Sequence, residues 1–364
     1  MPRVKRRGLI VGVVVVILAS LTAAAGADAP PGPRLAFIRL AKHPAALELQ
    51  SADAVGQNTL RLVGGGSRDL PLPYPLSGVS WSADGSMLAF AAVRPRGGHR
   101  RGRARPSIYV IAADGGAPTL VAGSSNAVSP VFAPDGHTVA FLRVRGVNRS
   151  VTSGHRTHQV SHAESAIWLA DLGDGGARRL TPWRRGSPLW PTSFSPDGAQ
   201  LLGSRADGTN RSHLVSVDVA DGAIEVWSRR GADPVYSPDG AQIAFLRPRV
   251  VSRKRVSRGG ASHVEVRTAA EIFVMKADGS ELAQITHTDS IDEYPSWDPS
   301  GSRLVFARLA TPLTENAIFG IGDTVMEVNA DGSCPTRVLS QSGVGYIAPA
   351  WQPGADRAAG PISC

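Results

Sequence analysis

One short phrase, repeated at intervals of 42 to 62 residues, constrains this chain more than any other feature. It reads Trp81-Ser82-Ala83-Asp84-Gly85, Phe132-Ala133-Pro134-Asp135-Gly136, Phe194-Ser195-Pro196-Asp197-Gly198, Tyr236-Ser237-Pro238-Asp239-Gly240 and Trp297-Asp298-Pro299-Ser300-Gly301, with a shortened sixth copy at Trp351-Gln352-Pro353-Gly354. Such a phrase ends a strand on an aromatic residue and turns the chain. Pro fixes φ, the Asp carboxylate accepts hydrogen bonds from nearby backbone N–H groups, and Gly takes the positive-φ position. Constant phrases at uneven spacing mean constant structural units with variable connections. With 40 glycines and 27 prolines in 364 residues, the chain is punctuated for short strands rather than long helices.

A short apolar strand follows each turn: Leu88-Ala89-Phe90, Val139-Ala140-Phe141, Ile243-Ala244-Phe245 and Leu304-Val305-Phe306, with Leu201-Leu202-Gly203 in the same place. Runs of this kind fit strands covered on both faces. A third strand is expected at Ile108-Tyr109-Val110, Ile167-Trp168-Leu169, Leu214-Val215-Ser216, Ile272-Phe273-Val274 and Val325-Met326-Glu327. Second turns at Asp114-Gly115, Asp174-Gly175, Asp221-Gly222, Asp278-Gly279 and Asp331-Gly332 lead into a fourth. Four antiparallel strands per unit, repeated radially, make a propeller blade.

The aromatic-Ser-Pro-Asp-Gly turn, the Ala-Phe strand, the Ile-aromatic-Val strand and the Ala-Asp-Gly turn together resemble the repeats of TolB-type β-propellers, also described as WD40-like propeller repeats. The resemblance runs from about Arg34 to Gly354 and implies an all-β fold. It does not fix a function, because the same blade serves translocation scaffolds, peptidase caps and lyases. It also stops short of the small α/β domain that precedes the TolB propeller. Here the first strand, Arg34 to Leu40, is expected almost directly after the N-terminal segment.

Six turn phrases imply one six-bladed propeller over residues 34–353, with a tail at 354–364. The first unit has only three strands of its own, at Leu35-Ala36-Phe37, Leu47-Glu48-Leu49 and Leu60-Arg61-Leu62. The segment Ile347 to Trp351 is expected to supply the fourth, pairing with the first blade to close the ring and remove an exposed sheet edge. That closure would bring the tail to the last blade, where a Cys334 to Cys364 disulfide could pin it.

Residues 1–25 have the pattern of a secretory signal peptide: Arg3, Lys5, Arg6 and Arg7, then an apolar run from Leu9 to Leu21, then small residues to Ala25. A short linker, 26–33, follows. Export would place the mature chain in the periplasm, at the cell envelope or outside the cell, where a disulfide is permissible.

The formal net charge of +9 is unevenly distributed. Three lengthened connections between second and third strands, at residues 93–107, 143–164 and 247–268, hold seventeen basic residues against two acids. The signal takes four more, so the rest of the chain is acidic. Read as loops on the face opposite the Asp-Gly turns, these connections form a basic surface carrying Arg100, Arg101, Arg103, Arg149, Arg156, Arg253, Lys254, Arg255 and Arg258. Such a surface attracts an acidic protein, an anionic envelope polymer or a membrane surface through long-range electrostatics. Solvated insertions would have the same composition. Aromatic residues are absent from all three connections, so nucleic-acid recognition by stacking is not expected. The expected behaviour is that of a monomeric, non-enzymatic binding scaffold without a cofactor.

The alternative is a metal-dependent propeller enzyme, a lyase or hydrolase, with its pocket on the same face. Its ligands would be His155, His158 and His162, whose spacing suits a metal if the segment is helical. Their cationic surroundings disfavour a second cation. No G-x-S-x-G nucleophile elbow occurs in the sequence. The repeated Asp residues sit where backbone capping accounts for them.

Overall fold

The computed structural model describes residues 34–364 except 43–44, 65–77, 94–104, 154–155, 208–210, 259–260, 310–312, 315–320 and 354–360. The signal and linker expected at 1–33 lie outside these residues. All regular elements among the described residues are strands, arranged as an all-β propeller. One sheet runs Val344–Trp351, Arg34–Lys42, Ala45–Asp53, Leu60–Gly64. A second contains Ser80–Trp81, Met87–Val93, Pro106–Ala112 and Thr119–Leu120. The third holds Ala127–Phe132, Thr138–Ser153, Arg156–Asp171 and Ala177–Arg179, and the fourth Leu189–Phe194, Gln200–Ala206, Ser212–Asp218 and Ile224–Arg230. A larger sheet contains two such meanders, beginning at Ala232–Tyr236 and Ile291–Trp297 and joined through the parallel pair Ala270 and Ile291.

The turn phrase folds as its residue types require. In the three copies that carry it, the first serine accepts the N–H five residues on, Ser82 from Met87, Ser195 from Gln200 and Ser237 from Gln242, all at 2.9 Å. Its hydroxyl donates to the Asp at 2.5–2.6 Å. That Asp in turn accepts the N–H two residues ahead, at 3.0 Å from Ser86, Ala199 and Ala241. In the copy that reads Asp-Pro-Ser-Gly the two roles are exchanged. Asp298 accepts the Arg303 N–H at 2.9 Å, and Ser300 donates to Asp298 at 2.6 Å. The glycine that follows has φ near +70° in all of these turns, a conformation that costs glycine little.

The Ala-Phe strands carry the core. Phe37, Phe90, Phe141, Phe245 and Phe306 are among the largest fully buried side chains, and truncating one to Ala costs about 3–5 kcal/mol. The unit that lacks this Phe has Gly203 instead. A side chain there would meet the Trp190 carbonyl at 2.5 Å, so the adjoining inner strand excludes one.

Inner strands are tied to their neighbours by hydrogen bonds at one repeated position. The residue before the aromatic is Ser80, Ser193 or Ser296, and each hydroxyl accepts the N–H of the next unit's aromatic: Phe132 at 2.9 Å, Tyr236 at 3.2 Å and Trp351 at 3.3 Å. Trp81 and Trp297 donate from Nε1 back to Ala350 O at 3.0 Å and Val235 O at 3.2 Å. Val344–Trp351 therefore hydrogen-bonds to the units on both sides, and it pairs antiparallel with Arg34–Lys42, Leu35 opposite Trp351 and Leu40 opposite Gly345. Beyond it, Gln352 donates to Gly85 O at 2.7 Å. Cys334 and Cys364 are joined in a disulfide with Cα atoms 5.2 Å apart. Asn329 holds the same tail through both its amide groups, accepting from Ile362 N at 2.7 Å and donating to Ile362 O at 3.0 Å.

One expectation about the connections is corrected. Residues 143–164 and 247–268 are not loops: they continue their strands into two-stranded arms. Thr138–Ser153 pairs with Arg156–Asp171 along its whole length, and Gln242–Arg258 pairs likewise with Ala261–Lys276. Inner-strand pairing stops at Arg143 and Leu246, so both arms project beyond their sheets on the side away from the Asp-Gly turns. β-branched residues such as Val144, Val147 and Val250 favour the extended conformation despite the charge.

Candidate functional site

The first arm segregates its charge. By register, positions 143, 145, 149 and 156, all Arg, share one face with His158, His162 and Glu164. Among residues 144–165, the opposite face carries only Val, Gly, Asn, Ser, Thr, Gln and Ala. At the base of the charged face, Arg143 lies over the Trp168 ring at 4.6 Å and Arg145 over Trp183 at 4.2 Å. Arg145 also donates to Glu164 at 2.7 Å, and this contact, with His162 Nε2 at 3.2 Å from the other oxygen, holds the Glu164 carboxyl below its usual range.

The second arm distributes its charge differently. Arg253, Lys254 and Arg255 are exposed, but the register divides them: Arg253 and Arg255 face with Val266 and Val264, whereas Lys254 is opposite Glu265 on the other side. They therefore do not form one cluster, as a loop reading implied. At the base, Arg249 bridges the buried Glu271 at 3.2 Å and Asp289 at 2.7 Å. Asp292 is fully buried and takes two hydrogen bonds from Arg308, at 2.6 and 2.8 Å. The acidic stretch after the second arm is thus partly consumed by neighbouring arginines.

Arg100, Arg101, Arg103 and His155 lie outside the described residues, as do the side chains of Arg149, Arg156, Arg258 and His158. The histidine spacing presumed a helix, but Arg156–Asp171 is a strand. Extended backbone advances about 3.3 Å per residue, which separates positions 158 and 162 by about 13 Å along one face. Among the described residues no group of three or more His, Cys, Asp or Glu side chains could hold a metal ion.

A second feature lies among the inner strands. The inner strands Ser80–Trp81, Ala127–Phe132, Leu189–Phe194, Ala232–Tyr236, Ile291–Trp297 and Val344–Trp351 all line a cavity of about 650 Å³. Four of these strands carry a bulge at a residue preceding proline, and there φ is positive: Ser129 (53°), Asp233 (48°), Tyr294 (57°) and Ala348 (49°). A residue before proline ordinarily takes extended backbone, so each bulge is strained by on the order of 1–3 kcal/mol. All four residues line the cavity. The repeated x-Pro-x-aromatic phrase, at Ser129-Pro130, Asp233-Pro234, Tyr294-Pro295 and Ala348-Pro349, is the sequence signal for this ring.

Fold and inner-strand geometry define a propeller, and comparisons with known proteins agree. No family model matches the chain. It is 30% identical over 126 residues to the Tol-Pal system protein TolB of Anaeromyxobacter dehalogenans strain 2CP-C, and 31% identical over 126 residues to the same protein of strain 2CP-1. Each match covers 34% of this chain and a quarter of the relative's length. Among solved structures, TolB from Acinetobacter baumannii superposes with a TM-score of 0.60 at 20% identity, covering 88% of this chain and 67% of that one. The chain is a TolB-like propeller in fold.

Proposed function

We propose that this chain is an exported, non-enzymatic propeller scaffold of the cell envelope, whose projecting arms hold an acidic protein or an anionic envelope polymer. One observation carries the reading: every arginine of the first arm falls on one face of a ribbon whose other face is uncharged. A merely solvated insertion has no reason to segregate its charge, whereas a docking face does. Arg253 and Arg255, which share one face of the second arm, add to the basic surface. The N-terminal signal pattern and the likeness to proteins named for the Tol-Pal system support export to the envelope.

We also infer that six four-stranded blades form the ring and that Val344–Trp351 closes it. Six turn phrases, six inner strands around one cavity and the antiparallel pairing of the terminal strands support this reading. The function is tested by binding of the mature chain to an anionic polymer such as polyglutamate across a salt series. Affinity is expected to fall steeply with salt. Arg149→Gln with Arg156→Gln should weaken it, and Ser150→Gln with Thr157→Gln on the uncharged face should not.

A further inference from the structure

The cavity among the inner strands has a chemical character that the arms do not explain. Its volume of about 650 Å³ lies within the range of small-molecule sites, roughly 300–1,000 Å³. Its wall is built from prolines, small residues and aromatic rings, among them Trp190, Tyr236 and Tyr294. Among the described residues Asp233 is the one lining side chain with a formal charge.

That carboxylate is not required by the fold. The same bulge, with the same positive φ, is formed by Ala348 and Ser129 in other units, so alanine or serine satisfies the backbone equally well. Asp233 Oδ2 is nevertheless buried, with no hydrogen-bond partner among the described residues. Burial alone pushes its carboxyl up to about 6. Oδ2 is covered, but the residue as a whole is only half-buried and lines the cavity, so its carboxylate meets the cavity through the other oxygen. A carboxylate without a donor is costly to a folded chain.

We propose that this cavity binds a primary ammonium group carried on an apolar body, with Asp233 as its counter-ion. With Oδ2 covered, the carboxylate cannot present both oxygens to the two-pronged fork of a guanidinium and suits a compact point donor. Aromatic faces in the wall add attraction for a cation, and the apolar lining accepts the body that carries it.

The test uses the mature chain at pH 8, with intrinsic tryptophan fluorescence and calorimetry as readouts. Benzylamine, charged at that pH, is compared with benzyl alcohol, which has the same ring and no charge. Benzylamine should bind saturably at one site and about tenfold more tightly than the alcohol, as expected of a charge-assisted hydrogen bond. Asp233→Asn should erase that preference while leaving the alcohol unaffected. Asparagine tolerates positive φ, so this variant keeps the bulge. If it nonetheless misfolds, the comparison of the two probes on the unmodified chain still decides. Acetyl-Leu-Lys-Leu-amide, run alongside, separates the carriers: tighter binding than benzylamine assigns the ammonium to a lysine of a protein segment, weaker binding to a small molecule. Equal affinity for benzylamine and benzyl alcohol, or an unchanged preference in Asp233→Asn, would overturn the proposal.

Discussion

Carboxylates in this molecule are displaced in both directions, and the cause is local in each case. Asp84, Asp197 and Asp239 are held below the usual range, chiefly by hydrogen bonds from the serine two residues earlier. Glu327 is pushed up to about 6 because burial outweighs Arg303, 2.9 Å away, and Asp233 reaches about 6 through burial alone. The signs differ accordingly. A lowered carboxyl contributes stability above its unfolded value and loses it as pH falls through the folded one. A raised carboxyl keeps its proton in the folded chain after the unfolded chain has released it, so stability falls as pH rises from about 4 to about 6. Asp233→Asn should therefore be more stable than the parent at pH 8, by about 1–2 kcal/mol, with the difference closing at pH 4. Denaturant melts at the two pH values measure this, and equal differences at both would count against a half-buried, unpaired Asp233 carboxylate. The turn carboxylates were legible in the sequence because their phrase repeats with its glycine. Asp233 was not, because Asp before Pro reads as a turn wherever it occurs, and only alignment of the four x-Pro sites places it on an inner strand.

The two arms behave as elements separate from the sheets they extend. Their pairing runs to the tips, interrupted in the second arm by one bulge between Val250 and Ser252, with Ser153 opposite Arg156 and Arg258 opposite Ala261 bracketing two residues each. Gly259-Gly260 is a recognised two-residue hairpin signal. It was overlooked because Arg, Ser and Gly dominate these stretches and no hydrophobic alternation marks a buried face. Inner-strand pairing has ended at Arg143 and Leu246, so it does not impose that alternation on the arms. Arginine and lysine along a projecting ribbon also discourage edge-to-edge pairing between molecules. Since inner-strand pairing ends at Arg143, replacing residues 147–162 by Asn-Gly should leave the melting temperature within about 2 °C. Binding to anionic polymer should drop sharply. A large fall in melting temperature would show that the first arm is part of the core.

At the scale of the whole molecule, the terminal strand joins the ends of the chain. Val344–Trp351 pairs with Arg34–Lys42 and hydrogen-bonds to the units on either side, and the Cys334–Cys364 disulfide anchors the tail just beyond it. Deleting residues 345–364 should destabilise every unit together, seen as one lowered transition in calorimetry. An unchanged transition would contradict closure by this strand. The disulfide spans 30 residues, so Cys364→Ser should cost about 3–4 kcal/mol on the chain-entropy argument. The propeller was readable from repeats, because each unit must bury its faces against the next. The distribution of charge over the two faces of an arm was not, since it depends on register, which composition does not encode.

The central claim is that the segregated basic face of the first arm binds an anionic partner. Its most direct test is the salt dependence of affinity for polyglutamate, compared between the unmodified chain, Arg149→Gln with Arg156→Gln, and Ser150→Gln with Thr157→Gln. The expected result is a steep salt slope that the arginine pair flattens and the uncharged-face pair preserves, with all three proteins melting alike. Equal slopes in all three, or no binding at low salt, would contradict the claim.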